Sequence, residues 1–140
     1  MDVDQAMSDR IVAGIGFRRG TGAEEIAALI ARALGTIGAG RTDLAAVATA
    51  ADRAADPSIC QAAAAFGLWP CPVEGPALEA CDARVVTRSA RIERLRGVGS
   101  LAEAAALAAA GPESRLALPR IASGGATCAL AIPHDTARHP

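Results

Sequence analysis

Two arginines, three glycines and a threonine share the eight residues GIGFRRGT at Gly14–Thr21. A guanidinium is planar and permanently charged, and its fork of donors matches carboxylate or phosphate oxygens. The apolar run Ile11-Val12-Ala13 ahead of it has the character of a buried strand and is expected to break at Gly14. Gly14, Gly16 and Gly20 then suit a tight turn with positive φ. Thr21 and Glu24 have the spacing of a capping box, and Ile26, Leu29, Ile30, Ala33 and Leu34 follow as a helical apolar stripe. Strand, glycine turn and helix start bring free amide N–H groups and the positive end of a helix to Arg18 and Arg19. That is the chemistry of an anion site, with Gly16, Arg18, Arg19, Gly20 and Thr21 as its candidate residues. The spacing G-x-G-x-x-x-G is one residue longer than a dinucleotide fingerprint. A P-loop is excluded because no Gly-Lys-Ser/Thr follows and the chain has no lysine. A purely structural turn with two solvated arginines fits the same residues.

Further candidates come in two groups. Thr49, Arg53 and Asp56 follow a second apolar run, Leu44–Thr49. Ser89, Ser100 and Glu103 stand in or after the stretch Arg84–Gly99, which holds five arginines. Its simplest reading is a solvated helix face. Asp56 and Glu103 are the candidates for a general base, yet each also fits a capping role: Asp56 precedes Pro57, and Glu103 completes a capping box with Ser100.

Composition narrows the classes. All 14 basic residues of this 140-residue chain are arginine, so lysine Schiff-base chemistry is excluded. A net charge of −1 and 2% aromatic residues argue against a nucleic-acid surface or a base-stacking platform. Cys60, Cys71, Cys81 and Cys128 form no C-x-x-C pair, so no metal site is expected and the thiols read as free. The two histidines, His134 and His139, fall in the terminal stretch HDTARHP, which gives histidine catalysis little support. No stretch has the length of a membrane span and MDVDQAMSDR has none of the features of a signal peptide, so a cytoplasmic location is expected. No cofactor is called for.

The remaining elements follow from periodicity and punctuation. Helices are expected over Ile59–Phe66, Pro76–Cys81 and from Ser100 to Ala110, the last closed by Gly111-Pro112. Leu68–Val73 reads as a strand that its two prolines confine to an edge. Leu116–Leu118 and Thr127–Ile132 flank Ser123-Gly124-Gly125 as a hairpin. Alternating strands and helices with a terminal hairpin imply a single three-layer α/β/α domain over residues 11–132, with a mainly parallel mixed sheet of about five strands. Residues 1–10 and 133–140 are expected to be a flexible leader and tail. Ligands of such sheets gather beyond the carboxyl ends of the strands, where the loops after the first two strands would meet.

The order of motifs resembles a known family. GIGFRRGT at Gly14–Thr21 is followed by AT-x-x-x-R-x-x-DP at Ala48–Pro57 and T-x-S at Thr87–Ser89. Then come G-x-GSLAEAAAL at Gly97–Leu107 and GGATCALA at Gly124–Ala131. Together they resemble the C-terminal domain of cobalt-precorrin-5A hydrolase, the CobE/CbiG family of cobalamin biosynthesis, across Ile11–Ile132. The chain departs from the family pattern with Arg53 and Asp56 in place of lysine and glutamate, Ala51 in place of an aspartate, and Phe17 in place of a cysteine.

The resemblance implies a place in corrin-ring synthesis, in the short stand-alone form. The expected partner is a precorrin or cobalt-precorrin intermediate, with other corrin-pathway enzymes as further partners and neither nucleic acid nor membrane. Its carboxylates would meet Arg18, Arg19 and Arg53, with hydrogen bonds from Thr49, Ser89 and Ser100. The alternative is a hydrolase that opens the lactone of a precorrin-5A-like intermediate and releases acetaldehyde, using Asp56 or Glu103 as base and the amides of Gly16–Thr21 as an oxyanion hole. A small nucleotide- or protein-binding α/β module is a third reading.

Overall fold

The computed structural model describes residues 10–134. The expected leader and tail fall outside this range except for Arg10, Pro133 and His134. Five strands, β1 (Ile11–Phe17), β2 (Leu44–Ala50), β3 (Pro70–Val73), β4 (Arg115–Ala122) and β5 (Ala126–Ile132), form one sheet in the order β3-β2-β1-β5-β4. β1, β2 and β3 pair in parallel, whereas β5 runs antiparallel to β1 and to β4. This is the expected mixed sheet ending in a hairpin. Both outer strands carry proline: Pro70 and Pro72 in β3, Pro119 in β4.

Side-chain alternation along the strands builds a core on each face. Ala13, Ile15, Val47 and Leu130 face α1 (Ala23–Thr36) and α2 (Pro57–Ala64), meeting Ile26, Ile30, Leu34 and Ile59. Each fully buried Ile or Leu contributes roughly 1.5–3 kcal/mol. Val12, Ala48 and Ala131 face the other way, toward Leu78 of α3 (Gly75–Ala80) and the alanine-rich α5 (Leu101–Ala110). The short α4 (Ala90–Arg96) buries none of its residues. Three layers result. Among the described residues no helix is long and apolar enough to cross a membrane.

Three local expectations are corrected. β1 does not break at Gly14; it runs through Gly14 and Gly16 to Phe17. Gly14 serves close packing, because a Cβ there would lie 2.0 Å from the Ala102 carbonyl oxygen and 2.5 Å from the Ala106 nitrogen. α5 thus rests directly on the β1 backbone. Of the three glycines only Gly20 has positive φ, at 86°.

The Thr21–Glu24 capping box does not form. α1 begins after Gly22 without a side-chain cap, and the Thr21 hydroxyl donates instead to the Gly125 carbonyl at 3.0 Å. The hydroxyl is thus turned to a carbonyl at the hairpin tip, as a donor, and no helix amide donates to its oxygen.

The second capping box forms by half. Ser100 Oγ accepts the Glu103 amide at 3.2 Å, but the Glu103 carboxylate turns away from the cap. It accepts the amides of Val86 and Thr87 on one oxygen, at 2.7 and 3.1 Å, and that of Arg120 on the other, at 2.9 Å. Three part-buried backbone donors from two distant segments outcompete the local one.

Candidate functional site

Beyond the carboxyl end of β1 lies a cleft of about 670 Å³. Arg18 and Arg19 enter it from the turn after β1, and Arg53 from the one-turn 3₁₀ helix Ala51–Arg53 that follows β2. Arg91 and Arg96 enter from α4, and Arg120 from β4. Phe17, Ile92, Leu95 and Leu101 add an apolar surface, and Ser123–Gly125 of the β4–β5 turn, with Ala126 and Thr127 at the start of β5, close one end. The loops after β1 and β2 therefore share a hollow with basic walls. Among the described residues no aspartate or glutamate lines it.

The walls are held by their own hydrogen bonds. The Arg18 amide donates to the Gly125 carbonyl at 2.9 Å, tying the first turn to the hairpin tip. Glu25 Oε2 accepts the Ser123 hydroxyl and, at 2.7 Å, the Gly125 amide. These two bonds hold the Glu25 carboxyl below the usual carboxylate range. On the opposite side Arg53 stacks on Phe17, its Cζ 4.2 Å from the ring centroid. Its Nη2 is buried without a hydrogen-bond partner, 4.0 Å from Asp56 Oδ2. Arg96 Nη1 meets Asp52 Oδ1 at 2.8 Å, and that hydrogen bond keeps the Asp52 carboxyl low. Among the described residues no carboxylate pairs with Arg18, Arg19, Arg91 or Arg120.

Of the residues singled out by the sequence, Gly16, Arg18, Arg19, Arg53 and Ser89 line the cleft. Gly20 and Thr21 lie behind the turn, with Thr21 engaged to Gly125. Thr49 is fully buried, and its hydroxyl donates to the Ile15 carbonyl at 2.8 Å, stapling β2 to β1. Ser100 is fully buried as the cap of α5. Asp56 caps α2 through the Ser58 amide, at 2.9 Å. Glu103 is fully buried: burial pushes its carboxyl upward, but the Arg120, Thr87 and Val86 hydrogen bonds outweigh that and hold it low. It is an acceptor saturated by amides, away from the cleft lining.

Arg91, Arg96, Arg120, Asp52 and Glu25 had not been singled out. For Arg91 and Arg96 a signal existed, since Ile92, Leu95 and Arg96 fall on one helical face beside Arg91. Arg120 follows Pro119 in an outer strand and has no comparable local signature. Among the described residues no group of three or more His, Cys, Asp or Glu is placed to hold a metal. The four cysteines are free, and burial pushes the Cys128 thiol up to about 12.

With this geometry in place, the comparisons with known proteins agree. Residues 11–131 match the family described as Cobalamin synthesis G C-terminus. The chain is 39% identical over 123 residues to Protein CobE of a Sinorhizobium species, covering 88% of this chain and 80% of that one. A crystal structure of CobE, described as a protein from the cobalamin (vitamin B12) biosynthetic pathway, aligns with a TM-score of 0.84 at 32% identity, over 89% of this chain and 91% of that one. The cobalamin biosynthesis protein chiG from Agrobacterium tumefaciens aligns at 0.72 and 33%, over 89% and 99%. A putative cobalamin biosynthesis protein G homolog from Sulfolobus solfataricus aligns at 0.67 and 25%, and there the match spans 89% of this chain but 37% of the larger protein. The five motifs read in the sequence, the mixed five-stranded sheet and these matches lead to one assignment: the chain belongs to the cobalamin synthesis G C-terminus family, the CobE/CbiG group of cobalamin biosynthesis.

Proposed function

We propose that this protein binds a polycarboxylate, precorrin-type tetrapyrrole in the arginine-lined cleft. One observation carries the reading: among the described residues, six arginines and no acidic residue line a hollow of about 670 Å³ beyond the strand ends. Corrin precursors carry acetate and propionate arms around a flat macrocycle. Arg18, Arg19, Arg91 and Arg120 have no carboxylate partner among the described residues and suit the arms. Phe17, Ile92, Leu95 and Leu101 suit the ring face. A charge-assisted hydrogen bond contributes about 1.5–3 kcal/mol, so two or three fix the orientation of such a ligand. Family membership supports the ligand class. Exchange of intermediates with other corrin-pathway enzymes in the cytoplasm is the setting this reading requires.

The test is a calorimetric titration with a corrinoid whose side chains are free carboxylates, beside one whose side chains are amidated. The acid form binds and the amidated form binds much more weakly. Arg18→Ala together with Arg19→Ala weakens the acid form by at least about 10- to 100-fold, the loss of one charged hydrogen bond. Equal affinity of the double variant and the wild type refutes the assignment of these arginines.

A further inference from the structure

α4 and its flanks leave the body of the protein and return to it at one point. The Ser89 amide donates to the Gly99 carbonyl at 2.8 Å, bridging the two feet of the excursion. Asp82 strengthens this base, accepting the Gly99 amide at 2.8 Å and Arg88 Nη2 at 3.0 Å. Between the feet no residue of the helix is fully buried; Ile92 packs, partly buried, against the core, and Leu95 is 65% exposed although it faces the cleft. The helix ends at Gly97, whose φ of 76° suits a swivel that other residues rarely adopt. Among the described residues, one side-chain hydrogen bond leads from 90–97 to a part of the chain beyond this base. It is the ion pair of Arg96 with Asp52, at 2.8 Å.

We infer that residues 90–97 are a flap over the cleft, latched by the Asp52–Arg96 ion pair, and that an anionic ligand enters by taking Arg96 from Asp52. The entry half of this inference rests on the binding reading given above; the latch does not. Asp52 belongs to the loop after β2 and is largely exposed, whereas Arg96 lines the cleft. The aspartate stands to Arg96 as a ligand carboxylate would, on a side chain that turns outward once released. A carboxylate arriving from the cleft competes for the same fork of donors. An exposed pair of this kind is weak, which suits a latch that must open. The partly buried Ile92, packed against the core on this face of the sheet, is the apolar contact of α4 that the movement must give up.

The experiment compares the full-length wild type with Asp52→Asn by hydrogen–deuterium exchange, then by stopped-flow mixing with uroporphyrin, an octacarboxylate tetrapyrrole. In the free protein Asp52→Asn speeds exchange of the Glu93–Gly97 amides about two- to five-fold and leaves α1 and α5 unchanged, as loss of one exposed ion pair allows. High salt does the same to the wild type and little further to the variant. The association rate for uroporphyrin rises by a similar factor. Unchanged exchange in Asp52→Asn overturns the latch, whatever the ligand does. Altered exchange without uptake by either form overturns the binding reading and the entry step with it. Faster exchange with an unchanged association rate overturns ligand entry through the flap.

Discussion

Replacing Glu103 by glutamine keeps its size and removes its charge. One side-chain oxygen can still accept the amides of Val86 and Thr87, but the carboxamide nitrogen must then face the Arg120 amide, donor against donor. The lost bond is charge-assisted, about 1.5–3 kcal/mol, and the two that remain fall to the strength of neutral bonds, about 1 kcal/mol each. Relief from burying a charge offsets part of this, leaving a net loss of roughly 2–4 kcal/mol. For a domain of this size that lowers Tm by about 10 °C. Urea and thermal unfolding followed by far-UV circular dichroism measure it; fluorescence is a poor reporter because Trp69 is 85% exposed. The sign of the pH dependence is also set. A carboxyl whose folded pKa lies below its ordinary value of 4.5 stabilises the native state fully above that pH. The contribution fades as pH falls through the folded value. The gap between wild type and Glu103→Gln should therefore be constant near neutrality and narrow below about pH 4.5. A variant within about 0.5 kcal/mol of wild type, the spread of ordinary surface substitutions, refutes the bridging role, as does a gap that ignores pH.

Two further outcomes follow from the same structure. Gly14→Ala forces a Cβ into the Ala102 carbonyl, 2.0 Å away, and costs at least about 1–3 kcal/mol as α5 lifts from β1; poor yield or a sharply lowered urea midpoint reports it. Asp56→Ala removes the cap of α2 and costs about 1 kcal/mol, measured by thermal unfolding.

The order of elements was legible because apolar runs alternate with glycine, proline and capping residues at helix and strand spacing. Asp56-Pro57 announced α2, and the prolines of Leu68–Val73 announced an outer strand. What misled was local signal outweighed by distant contact. Gly14 looks like a turn residue, yet the demand for glycine comes from α5, far along the chain. Thr21 and Glu103 carry the spacing of capping boxes, yet each finds better partners brought in by the hairpin or by segments 86–87 and 120. The site divided in the same way. Arg18, Arg19 and Arg53 were visible because they sit in turns after strands, where ligands of α/β sheets gather. Arg120 became part of the cleft only once β4 had folded back along β5.

The prolines of the outer strands have a consequence for how this protein meets its own copies. In a parallel pair alternate residues of β3 turn their N–H groups toward β2, and Pro70 and Pro72, two apart, have none to give. The amides of Cys71 and Val73 serve that ladder, so the open flank of β3 shows carbonyls without donors. At the far margin Pro119 interrupts β4 in the same manner, within a stretch whose register already slips. A foreign strand that tried to lengthen the sheet would find half of its bonds unanswered, which guards an alanine-rich chain against stacking into fibres.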